Sequence, residues 1–125
     1  MSSYRELEIY KLAKELAVKT HKMTLALPKI ELYEEGNQVR RSSKAIVASM
    51  VEGYGRSRYK AEFIKYLTYA HAECDETILH LEFLFETESL KDKSLYEELL
   101  NGYDQLGRKL NKYIQWVEEN WNSNP

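Results

Sequence analysis

Two groups of side chains in this 125-residue chain have types and spacings that suit chemistry. The first is cationic. Arg40, Arg41 and Lys44 fall within one helical turn, and Arg56, Arg58 and Lys60 follow the step Glu52-Gly53-Tyr54-Gly55. From Arg40 to Lys65 seven basic residues stand against two acidic ones, Glu52 and Glu62, while the whole chain carries a formal net charge of −2. A basic segment on an acidic body is a pattern that attracts polyanions, because phosphates require only charge and reach. Tyr54 and Tyr59 lie among these cations and offer rings on which unpaired bases can stack. Arg40, Arg41, Lys44, Tyr54, Arg56, Arg58, Tyr59 and Lys60 are therefore the candidate contacts to RNA or DNA. Along a helix rising 1.5 Å per residue the two halves of the set lie about 24 Å apart, so one molecule need not present them as a single patch. Ordinary solvated Arg and Lys on a helix surface would give the same composition.

The second group is His71, Cys74, Asp75, Glu76 and His80. The pairs His71/Asp75 and Glu76/His80 have the four-residue spacing that puts two metal ligands on one helix face. Cys74, however, belongs to an apolar seam, and no second helix supplies the Glu-x-x-His partner that a metal site inside a bundle requires. No metal and no cofactor are expected. Glu52-Gly-x-Gly-Arg56 resembles a phosphate loop only in its glycines, since no strand precedes it and no Lys-Ser/Thr pair opens a helix after it. No arrangement of Ser, His and Asp or of paired carboxylates suggests a catalytic centre, so the chain reads as a non-enzyme.

The elements that must position these residues follow from apolar spacing. Only 5 Gly and 2 Pro interrupt the chain, and hydrophobic residues make up 43% of it, enough for one domain spanning residues 1–125 with its own core. Leu7, Tyr10, Ala13, Leu16, Thr20, Met23 and Leu27 predict a helix over 4–27, closed by Pro28. A second helix is predicted over 37–52, ended by Gly53 as a left-handed cap. Phe63, Leu67, Ala70, Cys74, Thr77, Leu81 and Leu84 alternate steps of four and three and predict a third helix over 58–88, with Ser57 placed to cap it. Tyr96, Leu99, Tyr103, Leu106, Leu110, Tyr113 and Val117 predict a fourth over 94–121. Sustained seams joined by short connections define an all-α, up-down antiparallel four-helix bundle.

Helix 2 carries more than one apolar line. Val39, Ser43, Ile46, Met50 and Gly53 form the core stripe, whereas Arg40, Lys44, Val47 and Val51, with Ala48 nearby, fall well over 90° away. A helix apolar on two sides is normally buried on two sides, and Val47, Ala48 and Val51 are the candidate subunit interface. Scattered surface valines are the ordinary alternative.

Gln38, Arg40, Arg41, Ile46, Glu52-Gly53-Tyr54-Gly55-Arg56, Glu62-Phe63, Leu67, Ala70 and Glu76, preceded by Leu27-Pro28-x-x-Glu31-x-Tyr33, resemble the bacterial four-helix bundle proteins encoded in 23S rRNA intervening sequences. These are also labelled S23 ribosomal proteins. The resemblance covers about residues 7–118. Ala45, Ser49, Val51 and Ala72-Glu73 depart from the family pattern at helix-packing positions. The resemblance implies a homopentamer of unsettled biochemical role. A related bundle family, the accessory proteins of diversity-generating retroelements, engages reverse transcriptase and nucleic acid, which makes RNA or DNA a partner worth testing. Fold alone does not fix function.

The expected protein is thus a non-enzymatic oligomeric bundle that binds itself and a nucleic acid, or, in the alternative, a protein-interaction scaffold without nucleic acid. The single Cys74 permits no internal disulfide, the N-terminal residues contain no apolar targeting core, and no stretch is long and apolar enough for a membrane. A cytoplasmic location without membrane contact is the expectation.

Overall fold

The structure, a computed structural model, describes residues 3–122. After a single 3-10 turn at Tyr4–Glu6 come four helices: α1 (Glu8–Leu25), α2 (Glu35–Gly55), α3 (Lys60–Glu86) and α4 (Lys93–Asn120). A second 3-10 turn, Lys29–Leu32, lies between α1 and α2. Among the described residues there is no strand.

The helices pack as a ring of neighbours, α1 on α2, α2 on α3, α3 on α4 and α4 back on α1. Cross-helix pairs fix the directions. Lys109 reaches Glu8 while Lys19 reaches Glu98, so α1 and α4 run antiparallel. Ser49 donates to Glu73 and Glu35 meets His80, so α2 and α3 do too. Phe85 stacks on Tyr96 while Phe63 meets Tyr113, which sets α3 against α4 in the same sense. This is the up-down antiparallel four-helix bundle that the apolar spacing predicts.

The seams are where the periodicity places them. All seven α3 positions, Phe63 to Leu84, are buried, as are Val39, Ser43, Ile46, Met50 and Gly53 of α2. On α4 the middle of the seam is buried, whereas Tyr96 and Tyr113 lie half-buried at its edge, where a tyrosine can keep its hydroxyl near water. A polar layer crosses this core. The Thr20 and Tyr103 hydroxyls lie 2.6 Å apart in a buried bond, and the Ser42 and Thr77 hydroxyls lie 2.8 Å apart. Beside it the Cys74 thiol donates to the Tyr103 carbonyl at 3.2 Å.

Two corners differ from their sequence reading. Gly53 is not a left-handed cap: no described glycine has a positive φ, and α2 continues to Gly55. Its role is close approach, because a Cβ there would come within 2.9 Å of the Tyr66 Cβ on α3. The chain turns instead through amides of Arg56, Ser57 and Tyr59, which bond to carbonyls three residues back. Ser57 does not cap α3 either. Tyr59 occupies the cap position, and the Ser57 carbonyl accepts the Trp121 indole N–H at 2.8 Å.

The α1–α2 connection is held by a buried acid. Glu31, 6% exposed, accepts the Gly36 amide at 3.0 Å on one carboxylate oxygen and the Ser89 hydroxyl on the other. It thereby supplies a partner for one free amide in the first turn of α2 and ties that turn to the α3–α4 loop.

Candidate functional site

Four of the eight cationic and aromatic candidates, Arg40, Tyr54, Arg56 and Lys60, are engaged within the chain. Arg40 turns back along its own chain: one guanidinium nitrogen donates to the Leu32 carbonyl at 3.1 Å, and the other terminal nitrogen is buried without a hydrogen-bond partner. Arg56 is clamped between Glu52 at 3.0 Å and Glu62 at 3.3 Å and lies over the Tyr66 ring. These carboxylates, Glu52 first, raise its already high pKa. Lys60 donates to the Glu118 carbonyl at 2.6 Å. Tyr54 is half-buried in an edge-to-face series with Tyr4 and Phe63. Arg41, Lys44, Arg58 and Tyr59 remain exposed, with the Arg58 guanidinium over the Tyr59 ring. The family-motif arginine and glutamates at the α2–α3 corner thus act in one visible way, by holding that corner.

His71, Asp75, Glu76 and His80 disperse in pairs. His71 lies 3.9 Å from Asp75, whereas His80 bonds to Glu35 at 2.6 Å and joins α3 to the start of α2. Cys74 is buried in the seam between α3 and α4. No group of three or more His, Cys, Asp or Glu among the described residues is placed to hold a metal ion.

The second apolar line of α2 has a partly different explanation from its sequence reading. Val47 and Val51 are half-buried against the core, and the neighbour that covers part of this side is α1 of the same chain. Between the two helices a groove of about 400 Å³ remains open. Its lining is Lys14, Ala17, Val18, His21 and Lys22 from α1 and Lys44, Val47 and Ala48 from α2. Val51 does not line it.

Sequence reasoning missed the α1 wall. Lys14, Val18 and Lys22 sit at steps of four on the solvent side of α1, and that spacing was the available signal; it gains meaning only once α2 is known to lie beside it. The groove has an apolar floor, three lysines on its rim and no carboxylate in its lining. Val18 is 46% exposed, and the buried Nδ1 of His21 has no hydrogen-bond partner. An apolar floor with like-charged walls suits a partner segment that is itself apolar and flanked by acids.

Fold and surface together define a small up-down helical bundle whose open groove lies between its first two helices. The chain belongs to the 23S rRNA-intervening sequence protein family, whose sequence profile matches residues 5–112. Its fold is similar to the crystal structure of a protein with unknown function from the S23 ribosomal protein family of Bacteroides thetaiotaomicron VPI-5482. The two superpose with a TM-score of 0.75 at 25% identity, over 86% of this chain and 98% of that one. No curated protein matches the chain. Among the described residues no helix is long and apolar enough to cross a membrane.

Proposed function

We propose that this chain is a non-enzymatic bundle that acts by self-association, with the α1–α2 groove as the surface on which a further copy docks. The observation that carries this reading is the half-exposed apolar floor formed by Val18, Val47 and Ala48. Covering a floor of this kind is worth roughly 25 cal/mol per Å² of apolar surface removed from water. The family resemblance puts the expected assembly at a homopentamer.

Native mass spectrometry and light scattering test it. The wild type should exceed the 14.8 kDa of one chain. Val18→Lys and Val47→Lys should each move the mass to the monomer, with helix content by circular dichroism unchanged. Val18 stands on the solvent side of α1, so its variant guards against misreading an unfolded Val47 variant. A wild type that stays monomeric at high concentration overturns the proposal.

A second reading, binding of RNA or DNA, is favoured by the rim itself. Lys14, Lys22 and Lys44 surround the groove, and Arg41 lies exposed on the same helix as Lys44. Its test is a titration against a structured RNA hairpin and a single strand at low and near-physiological salt. Binding by the rim should weaken steeply with salt. Lys14→Gln/Lys22→Gln/Lys44→Gln should flatten the log–log slope by ~0.9 for each duplex phosphate that the rim no longer neutralises. Absence of binding even at low salt removes this reading.

A further inference from the structure

The outer face of α3 carries its own apolar line. Tyr69, Ala72, Leu79 and Phe83 are exposed, and with Glu76 they run at steps of three, four, three and four along one side of the helix. Tyr69, Leu79 and Phe83 are 46%, 47% and 44% exposed, although aromatic and leucine side chains of this size usually find cover. Apart from Lys65, whose ammonium lies 5.9 Å from the Tyr69 ring centroid at the start of the line, the charges along it have one sign. From Tyr69 to Glu86 the helix contains no Lys or Arg and five carboxylates, Glu73, Asp75, Glu76, Glu82 and Glu86, of which Asp75, Glu76 and Glu86 are exposed.

This is the complement of the α1–α2 groove, whose apolar floor is rimmed by Lys14, Lys22 and Lys44 with no acid. The two surfaces do not cover each other within one chain, because Val18 and Ala48 of the groove and Tyr69, Leu79 and Phe83 of the line all stay exposed. Nor does the α3 line suit a second α3 line, since that pairing would set carboxylates against carboxylates in a closing interface.

We infer that the occupant of the α1–α2 groove is the outer α3 stripe of a second copy of this chain, with Tyr69, Leu79 and Phe83 on the apolar floor and Asp75, Glu76 and Glu86 toward the lysine rim. The inference rests on the proposed self-association and specifies its geometry. The contact is heterologous: each copy gives one surface and receives on the other, so assembly continues past two copies until it closes.

Charge reversal tests it in the intact chain. One variant reverses the rim (Lys14→Glu/Lys22→Glu/Lys44→Glu), a second reverses the stripe (Asp75→Lys/Glu76→Lys/Glu86→Lys), and sedimentation with native mass spectrometry reads assembly. Like-charge juxtaposition costs several kcal/mol, so each variant alone should weaken association at least ~100-fold and run as a monomer. All six side chains are exposed, and circular dichroism should show full helix content in both. Mixed in equal amounts, the two variants should recover association in species containing both chains, because reversed rim meets reversed stripe and native rim meets native stripe. Strict alternation cannot close an odd-numbered ring, so the recovered species are mixed dimers, open chains or even-numbered rings. If the stripe variant assembles like the wild type while Val18→Lys does not, the groove is an interface but α3 is not its occupant, and the inference falls alone. If variants of both kinds lose assembly yet the mixture stays monomeric, the two surfaces do not pair and the inference again falls. A monomeric wild type overturns the inference together with the self-association on which it rests.

Discussion

Replacing Tyr103 by alanine should lower the unfolding free energy by about 4 kcal/mol, and replacing it by phenylalanine by about 2 kcal/mol. The side chain is fully buried and its hydroxyl joins Thr20 of α1 to α4. Alanine removes the ring and leaves a cavity. Phenylalanine keeps the ring but strands the Thr20 hydroxyl, itself 0% exposed, without its partner. Burial also pushes the Tyr103 phenol well above its ordinary 10.0, and it pushes the Cys74 thiol from 9.0 up to about 12. In both cases the folded chain holds a proton that the unfolded chain releases. Stability is therefore full below pH ~9 and falls as pH rises, at up to ~1.4 kcal/mol per pH unit for each group. Urea titrations from neutral into alkaline pH give both results. Tyr103→Phe should lower the midpoint at pH 7 and remove the part of the alkaline decline that begins near pH 10. A phenylalanine variant as stable as the wild type, with the same alkaline decline, would show that the hydroxyl layer contributes nothing.

Gly36→Ala should cost about 3 kcal/mol, against the direction of helix propensity, which favours alanine over glycine inside a helix by ~1 kcal/mol. The reason is space. A Cβ at Gly36 would stand 2.4 Å from the Glu31 carbonyl oxygen and 2.9 Å from the Glu31 Cβ, and a backbone oxygen cannot swing aside as a flexible side-chain tip can. The turn at Lys29–Leu32 would have to move. That movement would break the bonds from the Glu31 carboxylate to the Gly36 amide and the Ser89 hydroxyl, loosening α2 from the α3–α4 loop. Glu31→Gln, which preserves shape and one accepting oxygen, should cost only about 1 kcal/mol. A lowered urea midpoint with unchanged slope is the expected signature. An alanine variant with the wild-type midpoint would mean that the close approach at the start of α2 is not a constraint.

The bundle was legible because its information is local and repeated. The three–four alternation from Phe63 to Leu84 identifies the buried face of α3 without knowledge of its neighbours. The corners were less legible, since Gly53 and Gly36 could each mark a turn or a close approach and only the partner segment decides. Gly53 faces the Tyr66 Cβ and Gly36 faces Glu31, and no spacing rule encodes either neighbour. The candidate surface was half legible. Val47 and Ala48 of α2 line the groove, but its other wall depends on which side of α1 turns toward α2. The surroundings of the cationic motif were not legible, because sequence counts charges and not their partners. Arg56 between Glu52 and Glu62, and Arg40 on the Leu32 carbonyl, are used within the molecule.

The seam between α3 and α4 makes the chain's single thiol a clock. Cys74 is fully buried, hydrogen-bonded to the Tyr103 carbonyl and held protonated far above neutral pH, and it is the thiolate that reacts with alkylating reagents. While the helices stay packed, such reagents find no nucleophile. Alkylation therefore requires α3 and α4 to separate, and where reclosing outpaces the reagent the labelling rate measures the fraction of time the bundle stands open at its centre, without an introduced probe.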